Sequence, residues 1–515
     1  MKNTGNQIPV IVVGAGPTGL TIAHELNRYG VPVRIIDKNS EPTQTSNALG
    51  VHVRTLELWY DMGIIDTALA MGKKINAGNI FANKTKIAHV PFNNLLTAYP
   101  FMLSLPQSET EKILNEKLQK EGIMVERSTE LVSVKQTKES VSIVLSKNGQ
   151  TENVSTSWLI ACDGSHSAIR DQLNLNFFGE NFPQHFIMAD LAIETGLDLN
   201  EIYTFFASDG VVAIFPLPHA RCRLICDVTD DSKLHASKSP QLEDFINIVN
   251  KRCPIKINLS NPAWISAFWI HNRMIENYRH DRIFFAGDAA HVHSPVGGQG
   301  MNTGIQDAYN LAWKLAYVIQ NKAKIKLLDS YNAERHSVAK NVLAQTKAAT
   351  KMVTVKNHFL QWLRNYAMKK ILSKSTNQQR IALQMSELAI NYTLGPLSQN
   401  DVNKKVGGLR AGKRVPYVKG LFEKLKGTQF HLLLFTNNSI NINLDEIVNY
   451  IQERYSKLIR VHLIKKDDYH GLAHLNFRIN KEYLYLIRPD NYIAYRAIPV
   501  DMLRLQIYLQ NLFCE

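Results

Sequence analysis

An α/β fold, α+β over the whole chain, is what the sequence predicts, and three observations predict it. Three short apolar runs, Val10–Val13, Trp158–Cys162 and Ile283–Ala286, each end at a glycine or an aspartate and read as buried strands. The first run is followed by a helix and a second strand, Val33–Ile36, in β-α-β order. From Phe177 to about Ile270 the character changes to four strand-like runs: Phe186–Ile193, Glu201–Phe206, Gly210–Pro216 and Arg221–Val228. The last three alternate with a period near two, as an antiparallel sheet does.

The first stretch carries the clearest chemistry. Gly14, Gly16 and Gly19 form G-x-G-x-x-G immediately after a strand, with Pro17 and Thr18 between them and a helix following. The second strand ends in Asp37, with Lys38 next. In that context the glycines serve a tight turn, pyrophosphate approach and helix packing, and the acid is placed for ribose hydroxyls. An acid rather than a base at position 37 suits a ribose without a 2′-phosphate.

The stretch Gly287–Leu315 organises the rest. Asp288 offers a carboxylate to sugar or polyol hydroxyls. The loop that follows holds Pro295, Gly297, Gly298 and Gly300, where backbone can approach a planar or anionic ligand. A helix is expected from about Met301, with Ile305, Ala308, Leu311, Ala312 and Leu315 on one face. Its free N–H groups and partial positive charge suit a ring system that becomes anionic. A strand–loop–helix corner with glycines only for turning is the plainer alternative. The third stretch, Trp158–Arg170, is by itself an ordinary strand and turn ending in Asp163-Gly164.

Together the three stretches resemble the single-component flavoprotein aromatic hydroxylases, the class of p-hydroxybenzoate hydroxylase, phenol hydroxylase and the polyketide hydroxylases. Asp163, Gly164, Ser167 and Arg170 match D-G-x-x-S-x-x-R; Gly287–Asn302 match G-D-A-A-H-x-x-x-P-x-x-G-Q-G-x-N. The resemblance implies FAD, with NADPH or NADH as a transient co-substrate, since no second fingerprint exists. It implies a flavin hydroperoxide that hydroxylates a phenolic or polycyclic aromatic ring. Antibiotic inactivation of the tetracycline or rifamycin type, and a flavin-binding protein without turnover, are the alternatives. It adds Arg54 and Gln107 as cofactor contacts to Asp163, Gly287, Asp288, Pro295, Gly298, Gly300, Met301 and Asn302. No side chain is required as an acid or base. Where phenol-hydroxylase-type members carry a substrate-activating acid just upstream of that arginine, this chain is apolar, around Leu49. Ala48–Arg54 looks more like the polyketide hydroxylases.

The resemblance also divides the chain: a discontinuous FAD-binding domain of Rossmann type (1–176 and 271–345), a substrate-binding β-sheet domain (177–270), a helical linker (346–400) and a thioredoxin-like domain (401–515). Phe205, Phe215, His219 and Arg221 are candidate lining residues of the substrate domain. No C-x-x-C occurs in the last domain, which is expected to be redox-dead. The aromatic face of Lys347–Lys374, with Phe359, Trp362, Leu363 and Tyr366, is expected to pack on the body; a membrane-surface helix is the alternative.

Composition fits this frame. The chain has 515 residues, 45% of them hydrophobic, and no apolar run long enough to span a bilayer. The polar start, Met1–Gln7, leads directly into a strand and is expected to leave no room for a signal peptide. Five scattered cysteines suggest reduced thiols in a cytoplasmic protein, without disulfides or a metal. A formal charge of +14 on dispersed lysines, without a nucleic-acid module, suggests solubility or attraction for an anionic cofactor. The expected partner is therefore a small aromatic molecule, with no nucleic acid and no stable membrane insertion; a homodimer is left open.

Overall fold

The computed structural model describes residues 8–43, 48–82, 84–229, 231, 234, 240–294, 297–355, 357–402, 407–436, 442–479 and 482–514. Four parallel strands lie in the order Ile283–Phe285, Trp158–Ala161, Val10–Val13 and Val33–Ile36, with Arg279–His280 antiparallel at one edge. The three inner strands are buried at every position. That is why they read as continuous apolar runs rather than alternating ones. Val13 pairs with Ala161, and Ala161 with Phe285. The chain therefore leaves all three strands at one level. Gly14 N–H donates to Ile36 O (2.8 Å), Cys162 N–H to Val13 O (2.8 Å) and Ala286 N–H to Ala161 O (3.1 Å). The antiparallel excursion between Val33–Ile36 and Trp158–Ala161 contains a three-stranded sheet, Thr129–Gln136, Val141–Lys147 and Gln150–Thr156.

The second sheet has eight strands. In order they are His291–Val292, Ile257–Met274, Phe178–Thr195, Arg221–Asp227, Gly210–Leu217, Glu201–Ala207, Ala77–Ala82 and Thr85–Pro91. The last two stand outside the stretch expected to form this sheet. They come from within residues 1–176, yet Ala77–Ala82 pairs in parallel with Glu201–Ala207, where it covers the edge that strand would otherwise expose. Alternation separates the faces. Phe205, Val212, Ile214 and Leu224 pack under helix Leu242–Arg252 with Phe245 and Val249. Phe182, Phe186, Phe206, Ile225 and Phe268 occupy the other face, and Phe215 packs toward Val53, Ile75 and Met102 near the first sheet.

Helix Gly300–Ile319 is buried along nearly its whole length. Helices Asp329–Val353, His358–Leu372 and Ser375–Met385 follow. The expectation for the second of these is corrected. Phe359, Trp362, Leu363 and Tyr366 point outward, between 46% and 66% exposed, while Gln361 and Leu372 are buried. Helical periodicity located the aromatic stripe but could not say which stripe meets the body.

The C-terminal unit holds a mixed five-stranded sheet in the order Gln399–Val402, Ile493–Ile498, Tyr483–Ile487, Phe430–Thr436 and Ile459–Lys465. Helices Ile442–Tyr455 and Met502–Leu512 belong to it. It is joined tightly to the first sheet's helices. Trp313 and Tyr317 meet Phe430 edge-on at 5.5 and 5.8 Å. Beside them, Arg488 pairs with both Glu334 (2.5 Å) and Asp490 (2.5 Å), and Lys314 Nζ lies 2.8 Å from Glu334. Among the described residues no helix is long and apolar enough to cross a membrane.

Candidate active site

The first strand end meets the mid-chain motif directly. Gly14 has φ +99°, and a Cβ there would lie 2.2 Å from Cys162 O. Nothing stands within 4 Å of the corresponding point on Gly16, so backbone is open to a ligand there. Helix Pro17–Arg28 begins at this point with proline in its first turn and no side chain capping it. Its first N–H groups are thus available to an anion. Asp37 lies beside them, 8% exposed. Its carboxylate accepts from Ala15 N–H (2.7 Å) and Asn39 N–H (2.8 Å). Lys38 is exposed.

The second motif is a clamp. Ser167 Oγ accepts from Arg170 N–H at 3.1 Å and caps helix Ala168–Gln172. Arg170 donates to Ser165 O (2.8 Å) and Ala289 O (3.4 Å), with its guanidinium 4.0 Å from the Phe177 ring centre. It thereby ties Asp163-Gly164 to the turn after Gly287. Burial raises the Asp163 carboxyl above its ordinary range, against hydrogen bonds from Ser167 and the Ile169 amide. One of its oxygens, Oδ1, has no partner.

The third motif closes the corner. Gly287 has φ +60° and lies against Thr18: a Cβ on Gly287 would meet Thr18 Oγ1 at 2.5 Å, and one on Gly304 would meet it at 2.4 Å. The two helix starts therefore share one small side chain. Asp288 follows in the turn Gly287–Ala289. It is exposed, yet protein encloses it enough for burial to raise its carboxyl, with His291 opposing. Asn302 then binds the loop to the segment before Arg54. It accepts from His52 N–H (2.8 Å) and donates to Gly50 O (2.8 Å) and Gly298 O (3.0 Å). Helix Gly300–Ile319 starts without a side-chain cap, and half-buried Met301 packs on the core. Pro295 lies outside the described residues.

Two expected contacts have other partners. Arg54 is 2% exposed and bonds Glu57 Oε2 (3.0 Å) and Asp490 O (2.6 Å), over the Tyr492 ring at 5.1 Å. A guanidinium this deeply buried needs a carboxylate, and Glu57 supplies one that it shares with Arg414 (2.9 Å). Gln107 donates to Glu111 Oε1 (2.9 Å), and its N–H holds Ala48 O (3.0 Å). Of the lining candidates, Phe205 lies on the sheet face under helix Leu242–Arg252, His219 is in an exposed turn, and Arg221 is engaged by Asp190 O and Asn261 O. Phe215 alone of the four packs toward the third motif's neighbours.

These strand ends form one site at the carboxyl edge of a parallel sheet, where open α/β sheets bind ligands. The model of the FAD binding domain family matches residues 7–346. The 6-methylpretetramide 4-monooxygenase of Streptomyces rimosus is 33% identical over 517 residues, covering 94% of this chain and 90% of that protein. The chain belongs to the FAD-dependent aromatic monooxygenases. A rifampicin monooxygenase of Rhodococcus hoagii is 35% identical over 352 residues, 67% of this chain and 71% of that one. Among solved structures, an anhydrotetracycline hydroxylase from Streptomyces rimosus superposes with a TM-score of 0.77 at 26% identity, covering 99% of both chains. As a member of this family the protein is an FAD-dependent hydroxylase that draws electrons from NAD(P)H.

Around these strand ends stand residues the motifs did not single out. Asp307, fully buried, accepts from Arg335 Nε (2.6 Å), His291 Nε2 (2.7 Å) and Gly287 N–H (3.2 Å). Burial works to raise this carboxyl, but Arg335 and His291 outweigh it and hold it below the usual range. Burial lowers His293 to about 4, helped by His291, and lowers His52 although Gly298 O stands 2.9 Å from its Nε2. Two neutral imidazoles therefore flank the glycine loop. Glu387, at φ +61° and 2% exposed, accepts from Gln306 and is pushed up to about 8 by burial, against Arg335. An acid within the helix Gly300–Ile319 was the only visible signal for Asp307; nothing local marked Glu387.

Proposed function

We propose that the protein hydroxylates a polycyclic, polyketide-type aromatic compound. In this reading Asp37, the helix start at Gly16-Pro17-Thr18, Asp288 and the segment Gly298–Asn302 hold FAD, with Gly14, Gly19, Lys38, Gln107, Asp163 and Gly287 shaping its bed. FAD, when bound, supplies the reduction of dioxygen by NAD(P)H and the delivery of one oxygen atom to the ring. The protein's own part is to position, to exclude water and to stabilise charge. The uncapped start of helix Gly300–Ile319 favours negative charge beside it. Asn302 and His52 keep the loop in one shape.

The observation that carries the substrate class is the wall. Phe215 packs toward Val53 and Met102, and buried Leu49 stands where a substrate-activating acid would be. Half-buried Phe215 is the one of these with area left for a ring system, and no acid stands at Leu49, so in this reading the substrate's own phenol supplies activation. The full-length similarity to the S. rimosus enzymes, whose names specify tetracycline-type substrates, supports the same class. The eight-stranded sheet serves as the substrate domain, extended by residues 77–91. The C-terminal unit is thioredoxin-like in strand order and acts structurally; its one cysteine, Cys514, has no second cysteine near it in sequence.

Following NADPH and NADH oxidation with naphthoquinols, tetracyclines, simple phenols and rifamycins, with peroxide assayed alongside, tests the reading. Oxidation accelerated by a polycyclic phenol without matching peroxide supports it. Coupled turnover with simple phenols alone overturns the substrate class. Antibiotic inactivation of the rifamycin type is the second reading, favoured by the R. hoagii relative; coupled turnover of a rifamycin would establish it instead.

A further inference from the structure

Residues 336–386 contain nine lysines and arginines and no aspartate or glutamate; of these Lys347 is paired with Glu180 (2.7 Å). Helix His358–Leu372 lies inside this stretch, opened by Asn357, whose side chain accepts from the Phe359 and Leu360 amides. Its inner face is fastened to the eight-stranded sheet. Gln361 donates to Ser208 O (2.9 Å) and Val355 O (2.8 Å), the Arg364 guanidinium sits 4.7 Å from the Phe206 ring centre, and Met368 packs near Phe206. The helix is thus held in place without its outer face.

That outer face is apolar and uncovered. Phe359 is 66% exposed, Trp362 59%, Tyr366 55%, Ile371 53%, Leu360 49% and Leu363 46%. Phe359 stacks on Trp362 and Trp362 on Tyr366, with ring centres 6.0 and 5.9 Å apart, so the rings form one continuous ridge. Lys369, Lys370 and Lys374 are exposed at its C-terminal end. Contiguous exposed apolar surface of this kind marks an interaction site.

We propose that this ridge docks the enzyme on an anionic lipid surface, a bilayer carrying acidic phospholipids. The charge decides the partner. A second copy of the chain would bring the same acid-free, cationic stretch against itself in an isologous contact, which like charges oppose. Acidic headgroups complement it. Aromatic side chains seat at headgroup depth, and a basic helix with an apolar face lies flat in the interface rather than crossing it. The attachment is peripheral and reversible, and it would bring the enzyme to the phase in which polycyclic aromatic compounds concentrate.

Vesicle flotation of the full-length, FAD-loaded protein tests this. The expected result is flotation with vesicles of phosphatidylcholine plus phosphatidylglycerol, none with phosphatidylcholine alone, and release by raised salt. Phe359→Ser/Trp362→Ser, at exposed positions, is expected to cut partitioning by about tenfold or more, with FAD content and elution volume unchanged. Lys369→Glu/Lys370→Glu, tested separately, is expected to abolish the preference for acidic lipid. Equal flotation with neutral vesicles, no flotation at all, or undiminished binding by the serine variant would overturn the proposal. So would a wild-type dimer that the serine variant splits, since the ridge would then be a self-interface.

Discussion

Replacing Gly304 with alanine probes the point where the two helix starts meet. The added Cβ would lie 2.4 Å from Thr18 Oγ1 and 3.2 Å from Gly287 Cα. Thr18 is β-branched in a helical first turn and has few other rotamers; backbone at Gly287 closes the other side. Overpacking of this kind costs roughly 1–3 kcal/mol, against about 1 kcal/mol that alanine gains over glycine inside a helix. Thr18→Ala removes Oγ1, the shortest contact, and leaves the new Cβ 3.2 Å from Gly287 Cα and 3.6 Å from the residue-18 Cβ. Gly304→Ala should therefore destabilise the wild type and weaken FAD binding, yet cost much less in a Thr18→Ala background. The coupling should be about 1–3 kcal/mol. Urea unfolding and FAD titration of the four proteins measure it. Coupling below about 0.5 kcal/mol, the range of independent sites, would refute the shared contact.

Other consequences concern buried charge. Asp307→Asn leaves Arg335 without its carboxylate and should cost roughly 3–5 kcal/mol, read by thermal denaturation together with loss of bound FAD. Because Asp307 is held below its ordinary pKa, its contribution is present above the ordinary Asp range and should fade as pH falls through the lower folded value. Glu387 has the opposite sign. Pushed up to about 8 from 4.5, it keeps a proton in the fold that the unfolded chain has lost, so stability should fall as pH rises between those values. Glu387→Gln should flatten that slope in urea titrations at stepped pH; an unchanged slope would show that another group carries it. Glu334→Ala strands Lys314 and leaves Arg488 with Asp490 alone between the first sheet's helices and the C-terminal unit. It should cost about 3–5 kcal/mol and loosen both bodies together, as seen by limited proteolysis.

The cofactor corner was legible because its signals are local. Gly14, Gly16, Gly19 and Asp37 fall within one β-α-β unit, and Gly287–Asn302 is a single strand, loop and helix start. That Gly14, Cys162 and Ala286 end at one level needed the strand register. What escaped notice is held over distance. Asp307 joins Arg335 and His291 only after two helices fold against one another, and Gln306 reaches Glu387 across 81 residues. Arg54 shows the limit of a local signature: a cation at a helix start reads alike whether it faces a cofactor or a carboxylate three residues on, and its bond to Glu57 needed the fold. The aromatic stripe of His358–Leu372 failed for a related reason, since periodicity defines a face and leaves its cover unspecified. Strands Ala77–Ala82 and Thr85–Pro91 were missed because sheet membership is set by the partner, here Glu201–Ala207.

The central claim is that Gly14–Gly19, Asp163–Arg170 and Gly287–Asn302 build one FAD site. The most direct measurement is the visible spectrum and flavin content of the purified full-length chain, as isolated and after reconstitution with FAD. The account predicts a flavin spectrum, one FAD per chain, and its loss in Gly287→Ala, where both the left-handed backbone and Thr18 oppose a side chain. A colourless protein that FAD does not reconstitute would contradict it.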